Sequence, residues 1–152
     1  MSNTPNSNIT PQAAVLGYVD LTAATAGTTR APLAIATVTG ATTVYFPVNP
    51  VLSATADTKI SKIALKGASS SFTAPTAAQT VLVWISNGTT VTVKKEILVS
   101  VVTPSTTVAS FELDTLYDDF VVPAGYALYL STSITTVANT TALLATIHGA
   151  SM

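Results

Sequence analysis

The chain contains no cysteine. That excludes a disulfide framework, a thiolate nucleophile and a sulfur-ligated metal, so the fold must hold through core area or subunit contacts. Charge is the second shortage. Only 9% of the 152 residues are Asp, Glu, Lys or Arg, against roughly 25% in ordinary globular chains. Two long stretches, 31–56 and 120–147, have no charged residue at all. The net charge of −1 supplies no footprint for nucleic acid or anionic lipid. It also leaves little repulsion to keep copies apart, which favours an assembly subunit over a solitary monomer. No window shows a 3.6-residue apolar period, so helix is not expected.

A membrane span is one reading of so apolar a chain, and the sequence argues against it. A spanning helix needs ~20 mostly apolar residues. Within the charge-free tract, Pro123 and Gly125 interrupt any helix, and Ser131–Thr136 would place five hydroxyls in hydrocarbon. The N-terminus, "MSNTPNSNITPQ", lacks both a basic start and an apolar run, so no signal peptide is expected. What the chain does have is 28 threonines, a surface kept wet by hydroxyls rather than by charge.

The length fits one domain. Residues 1–12 have almost nothing to bury and should not order themselves. A short strand is expected at 13–21, then a small-residue linker, so 1–32 reads as an N-terminal arm ahead of a body at 33–152. From Leu33 the chain is a series of short β runs between turns, the pattern of an all-β sandwich or barrel of about eight strands. "LAIATVT" (33–39) and "TTVYFPV" (42–48) are two such runs. "SKIALKG" (61–67) alternates Lys62, Ala64 and Lys66 with Ile63 and Leu65, one face wet and the other buried. "QTVLVWISNGTTVTVKKEILVSVV" (79–102) places Asn87-Gly88 between two β-rich runs, the signal for a type I′ hairpin turn. A strand is expected at 106–113 with Phe111 and Leu113 on one face, then a turn at "DTLYDD". Pro123-Ala124-Gly125 is a tight turn, with Val122, Leu128 and Leu130 in the core. "ALLATIH" (142–148) closes the sheet.

Few residues could carry chemistry. Glu112, Asp114, Asp118 and Asp119 are four of the seven acidic residues, and a hard cation wants several oxygens converging in this way. Their spacing matches no EF-hand loop. Plain solvation, or ion pairs to Lys or Arg across a subunit contact, are the competing readings. Lys59, Lys62, Lys66, Lys94 and Lys95 have no interleaved aromatics, so they read as an exposed strand face that discourages edge pairing. His148 is the lone histidine. With no G-x-S-x-G elbow it reads as a satisfied strand-end residue rather than part of a triad or a zinc site. Trp84, beside Leu82 and Ile85, reads as core rather than as a sugar-stacking platform. Tyr126 and Tyr129 fall on opposite strand faces and are candidates for a subunit contact. No catalytic residue, cofactor or metal is assigned.

In "KISKIALKG", "TVLVWISNGTTVTV", "VVPAGYALYLSTS" and "TTALLATIHGASM" the body resembles small virion proteins of tailed bacteriophages. These are Thr/Ser/Ala-rich, cysteine-free capsid decoration or head-fibre-base proteins. The resemblance implies a jelly-roll-like β-sandwich that assembles as a homotrimer on the major capsid protein at the virion surface, made in the host cytoplasm, with no catalytic residues to carry over. The arm departs from a minimal decoration domain and leaves a neck, tail or fibre position open. The alternative is a β-sandwich binding module of a fibre or tail that recognises a glycan or host receptor through its loops.

Overall fold

The computed structural model describes residues 14–21, 31–34, 50–67, 77–133 and 143–152. The expected tail at 1–12, the run at 42–48 and most of that at 33–39 lie outside the described residues. Nine strands are described: β1 (Ala14–Asp20), β2 (Leu33–Ala34), β3 (Leu52–Ser53), β4 (Thr58–Gly67), β5 (Gln79–Ser86), β6 (Thr90–Val99), β7 (Glu112–Val122), β8 (Ala127–Thr132) and β9 (Leu143–Ser151). They form two antiparallel sheets, one ordered β1-β9-β4-β7 and the other β2-β6-β5-β8-β3. Among the described residues there is no helix, and so none long and apolar enough to cross a membrane.

The pairings are nested. β5 pairs β6, β4 pairs β7, β3 pairs β8 and β1 pairs β9. This is one long hairpin, closed at the β5–β6 turn and rolled into two facing sheets, the order of a jelly roll. The wet-and-buried alternation read in "SKIALKG" is present, with Ile63 and Leu65 buried and Lys66 exposed. Between the sheets lies a continuous core. Ile60, Ile63, Leu65, Phe120, Val122, Leu143, Ala145 and Ile147 from the first sheet meet Val81, Val83, Ile85, Ile97, Val99, Leu128 and Leu130 from the second. β5 is apolar on both faces, because Leu82 and Trp84 alternate with those core residues and are buried in a second cluster with Val91, Val93 and Tyr129. A strand covered on both sides needs no polar alternation, which explains the unbroken run VLVWI.

Three expectations are corrected. Residues 14–20, assigned to an arm, are the outer strand of the first sheet, and Leu21 is 1% exposed in the core. Residues 14–21 therefore belong with the body. The physical reason is that Leu16 and Val19 pack on the core, while Gly17, lacking a Cβ, lets β1 approach the Val51 carbonyl. The β5–β6 turn sits one residue later than an Asn-Gly I′ turn. Ser86 pairs with Val91, and the Asn87 N–H donates to the Thr90 carbonyl at 3.2 Å, so Gly88 and Thr89 are central. Gly88 has φ 87°, as the first central position of a II′ turn requires. The third concerns 106–119. Residues 100–111 form an irregular link in which Ser105 and Val108 exchange backbone hydrogen bonds, and the strand begins only at Glu112.

"DTLYDD" is not a turn either, but part of β7. Lys62 pairs with Leu116 and Ile60 with Phe120, so Tyr117, Asp118 and Asp119 bulge out opposite Ser61. The Pro123–Tyr126 turn is present, with the Tyr126 N–H donating to the Pro123 carbonyl at 3.0 Å and Gly125 at φ 80°. It carries the chain from one sheet to the other. The Asp57 carboxylate holds it by accepting the Ala124 N–H at 2.8 Å.

Candidate functional site

The acidic residues do not converge. On the outer face of the first sheet, Asp114 pairs with Lys62 at 3.1 Å and Glu112 with Lys66 at 2.8 Å. Asp119 approaches Lys95 at 3.9 Å, on the side where the β7 edge meets β6. These ion pairs form within the chain: β4 beside β7 sets Lys66 directly opposite Glu112 and Lys62 diagonal to Asp114, and Lys95 reaches Asp119 from β6. Among the described residues no three His, Asp or Glu side chains come together in a way that could hold a metal ion. Exposed pairs of this kind contribute little to stability. Their effect is to occupy the carboxylates and to charge the β7 edge against further strand pairing.

The bulge has a local role that sequence reasoning missed. It turns Tyr117 against the core, with its ring edge-on to Phe120 at 5.3 Å and 74°. Lys95 lies over the Tyr117 ring, 5.4 Å from its centroid, within cation–π range. The Tyr117 hydroxyl is buried without a hydrogen-bond partner, and burial pushes its pKa up to about 12. The folded state thus favours the protonated phenol. That contribution is complete below the ordinary tyrosine value near 10 and is lost as pH rises through about 12. Replacing Tyr117 by Phe should therefore flatten the fall in melting temperature between those two values. At neutral pH the variant should melt at or slightly above the parent, because the orphaned hydroxyl is gone. A parent and variant that decline identically in alkaline melts would place the hydroxyl in water.

The tyrosines named as contact candidates part company. Tyr126 follows the sheet-changing turn and is 37% exposed. Tyr129 is half-buried and packs on the Leu82–Trp84–Val91 cluster. Trp84 is fully buried, and its indole N–H donates to the Ser131 hydroxyl at 2.8 Å. No sugar can stack on it in this arrangement. His148 lies in register between Val15 and Lys62, and its carbonyl accepts from the Ser61 hydroxyl at 3.2 Å.

The largest exposed apolar groups that share a described surface lie on the outer face of the first sheet. Val15 is 59%, Tyr18 75% and Leu116 74% exposed. Val15, His148, Lys62 and Leu116 form one row across the four strands. Tyr18, Thr146, Ala64 and Asp114 form the next. The Lys and Asp of these two rows are on β4 and β7, and the rows end on β1 in an exposed valine and tyrosine. Alternation alone sets Val15 and Tyr18 on opposite faces of β1; the register shift between Val15 and Gly17 turns both outward, and no local sequence signal marks it. Comparison of the chain with protein-family models, with curated proteins and with solved structures finds no match.

Proposed function

We propose that this chain is a non-enzymatic structural subunit of a virus particle, a capsid decoration protein of a tailed bacteriophage. In this reading it assembles with itself as a trimer and seats on the major capsid protein. The observation that carries the reading is the outer face of the β1-β9-β4-β7 sheet. Val15, Tyr18 and Leu116 stand exposed there, the first two in rows with no Lys, Arg, Asp or Glu on β1 or β9, and subunit contacts are the usual way to cover such groups. The rolled-hairpin strand order supports it, since capsid proteins are among the proteins built this way. So does the pairing of Glu112, Asp114 and Asp119 with lysines, which commits them to the surface rather than to a reacting centre. Fold alone does not assign a role, so the test is of assembly.

Light scattering on the purified chain should give a trimer, and the double variant Tyr18→Glu, Leu116→Glu should be monomeric with unchanged circular dichroism. Both residues are exposed, so the substitutions change the surface and spare the core. Sedimentation with phage capsids stripped of their decoration protein tests the second half. A parent chain that is monomeric and leaves the capsids bare overturns the proposal. Specific binding on a glycan array would transfer the assignment to a recognition module.

A further inference from the structure

We infer that Asn87 is a site of spontaneous deamidation in the folded protein, a modification built into the tip of the β5–β6 hairpin. Of the six asparagines in the chain, only Asn87 precedes a glycine. The absence of a side chain on the following residue is what lets its backbone nitrogen approach the asparagine amide. Asn87, Gly88 and Thr89 are all exposed. A Cβ at Gly88 would meet nothing within 4 Å, so water has free access.

The turn's hydrogen bonds suit the reaction. The Asn87 Oδ1 accepts the Thr89 N–H at 2.9 Å and the Thr90 N–H at 2.8 Å. Those two donors polarise the amide carbonyl, and they remain in place for the negative charge that develops on Oδ1 when Cγ is attacked. Closing an Asx-type ring onto the N–H two residues ahead also folds Cγ back towards the intervening nitrogen of Gly88. On the other side, the Gly88 N–H donates to the Ser86 hydroxyl at 3.1 Å, which sits on the proton that must leave.

The step is an intramolecular substitution. The Gly88 nitrogen loses its proton to a solvent base and attacks Cγ of Asn87, forming the C–N bond while an electron pair moves onto Oδ1. Collapse of this intermediate breaks the Cγ–Nδ2 bond, and the nitrogen takes a proton from water and leaves as ammonia. Water then opens the five-membered imide at either carbonyl, giving aspartate or isoaspartate. The sum is one amide and one water converted to one carboxylic acid and ammonia. No metal or oxidant takes part. The product adds a negative charge at an exposed tip of a chain whose net charge is only −1. The isoaspartate form also lengthens the backbone of the turn by one methylene.

The full-length chain, folded in mildly alkaline buffer, is sampled over weeks and analysed by peptide mass spectrometry, beside the same chain unfolded in guanidinium. A gain of one mass unit at Asn87, with the other five asparagines unchanged in the folded sample, is the expected result. The folded rate should lie within about tenfold of the unfolded rate, a barrier difference of under about 1.4 kcal/mol. Ser86→Ala, which removes the acceptor for the Gly88 N–H, should slow the folded chain at least about threefold and leave the unfolded rate unchanged. A folded chain protected by more than about tenfold overturns the inference, because the turn would then be locking the amide away from attack. Conversion at the other asparagines at equal speed would overturn it as well.

Discussion

Truncating Trp84 to alanine should destabilise the fold by about 3–5 kcal/mol, the range for deleting a large buried aromatic. That is a large share of the roughly 5–15 kcal/mol by which a domain of this kind is stable. The expectation rests on two losses. Trp84 is fully buried with Leu82 and Val91, on the face of β5 that points away from the main core. Its removal leaves a cavity beside Leu82, Val91, Val93 and Tyr129, and partial relaxation around such a cavity adds to the lost burial. The second loss is polar. The indole N–H donates to the hydroxyl of Ser131, a residue with no exposed surface of its own. Trp84→Phe keeps one aromatic ring while losing the N–H and the pyrrole part of the indole, so it should fall between the parent and the alanine variant, at a cost of about 1–3 kcal/mol. Thermal and chemical melts of the two variants give the comparison. Alanine and phenylalanine variants that melt together with the parent would mean that the second cluster contributes nothing and that Trp84 is free for another role.

The Trp84 result also bears on how much was legible in the sequence. Alternation located most strands of the body, because one-faced strands such as β4 carry it plainly. It said nothing about β5, where both faces are apolar, and only length and the neighbouring Asn-Gly pair marked that segment as a strand. The nested strand order is centred on the β5–β6 hairpin, which the Asn87-Gly88 pair located to within one residue, the central pair being Gly88 and Thr89. That slip has a physical cause. The Asn87 side chain takes over the two N–H groups of Thr89 and Thr90, and the backbone turns at Gly88, which has a positive φ.

The "DTLYDD" segment misled for a related reason. Clustered acids normally mark a turn, yet Tyr117 and Phe120 anchor the strand on either side of the acids and force a bulge instead. The same bulge dissolved the acidic cluster as a candidate site, because it sends Asp119 towards Lys95 while Glu112 and Asp114 stay with Lys66 and Lys62. Pairing partners this distant in sequence cannot be read from local pattern.

The segment read least well was β1, and there the structure reverses an expected outcome. Were residues 1–32 an arm, deleting 1–20 would leave a folded body. With β1 in the sheet, that deletion should instead abolish cooperative folding or cost on the order of 3–6 kcal/mol, from the burial of two to three aliphatic side chains. Leu16 and Val19 would be lost from the core margin. Leu21 would lose the strand that positions it, though its N–H bonds the Leu143 carbonyl at 2.7 Å. The whole length of β9 would become an edge. That strand, LLATIHGAS, has no Lys, Arg, Asp or Glu to guard it, so the truncated chain should also aggregate through edge pairing. A chain beginning at residue 14 is the proper control, since it keeps all of β1. Circular dichroism and thermal melts of the two truncations should diverge sharply, with only the longer one showing a cooperative transition. If both melt alike, β1 is dispensable to the sandwich, its pairing with β9 adds no stability, and residues 14–20 are an arm after all.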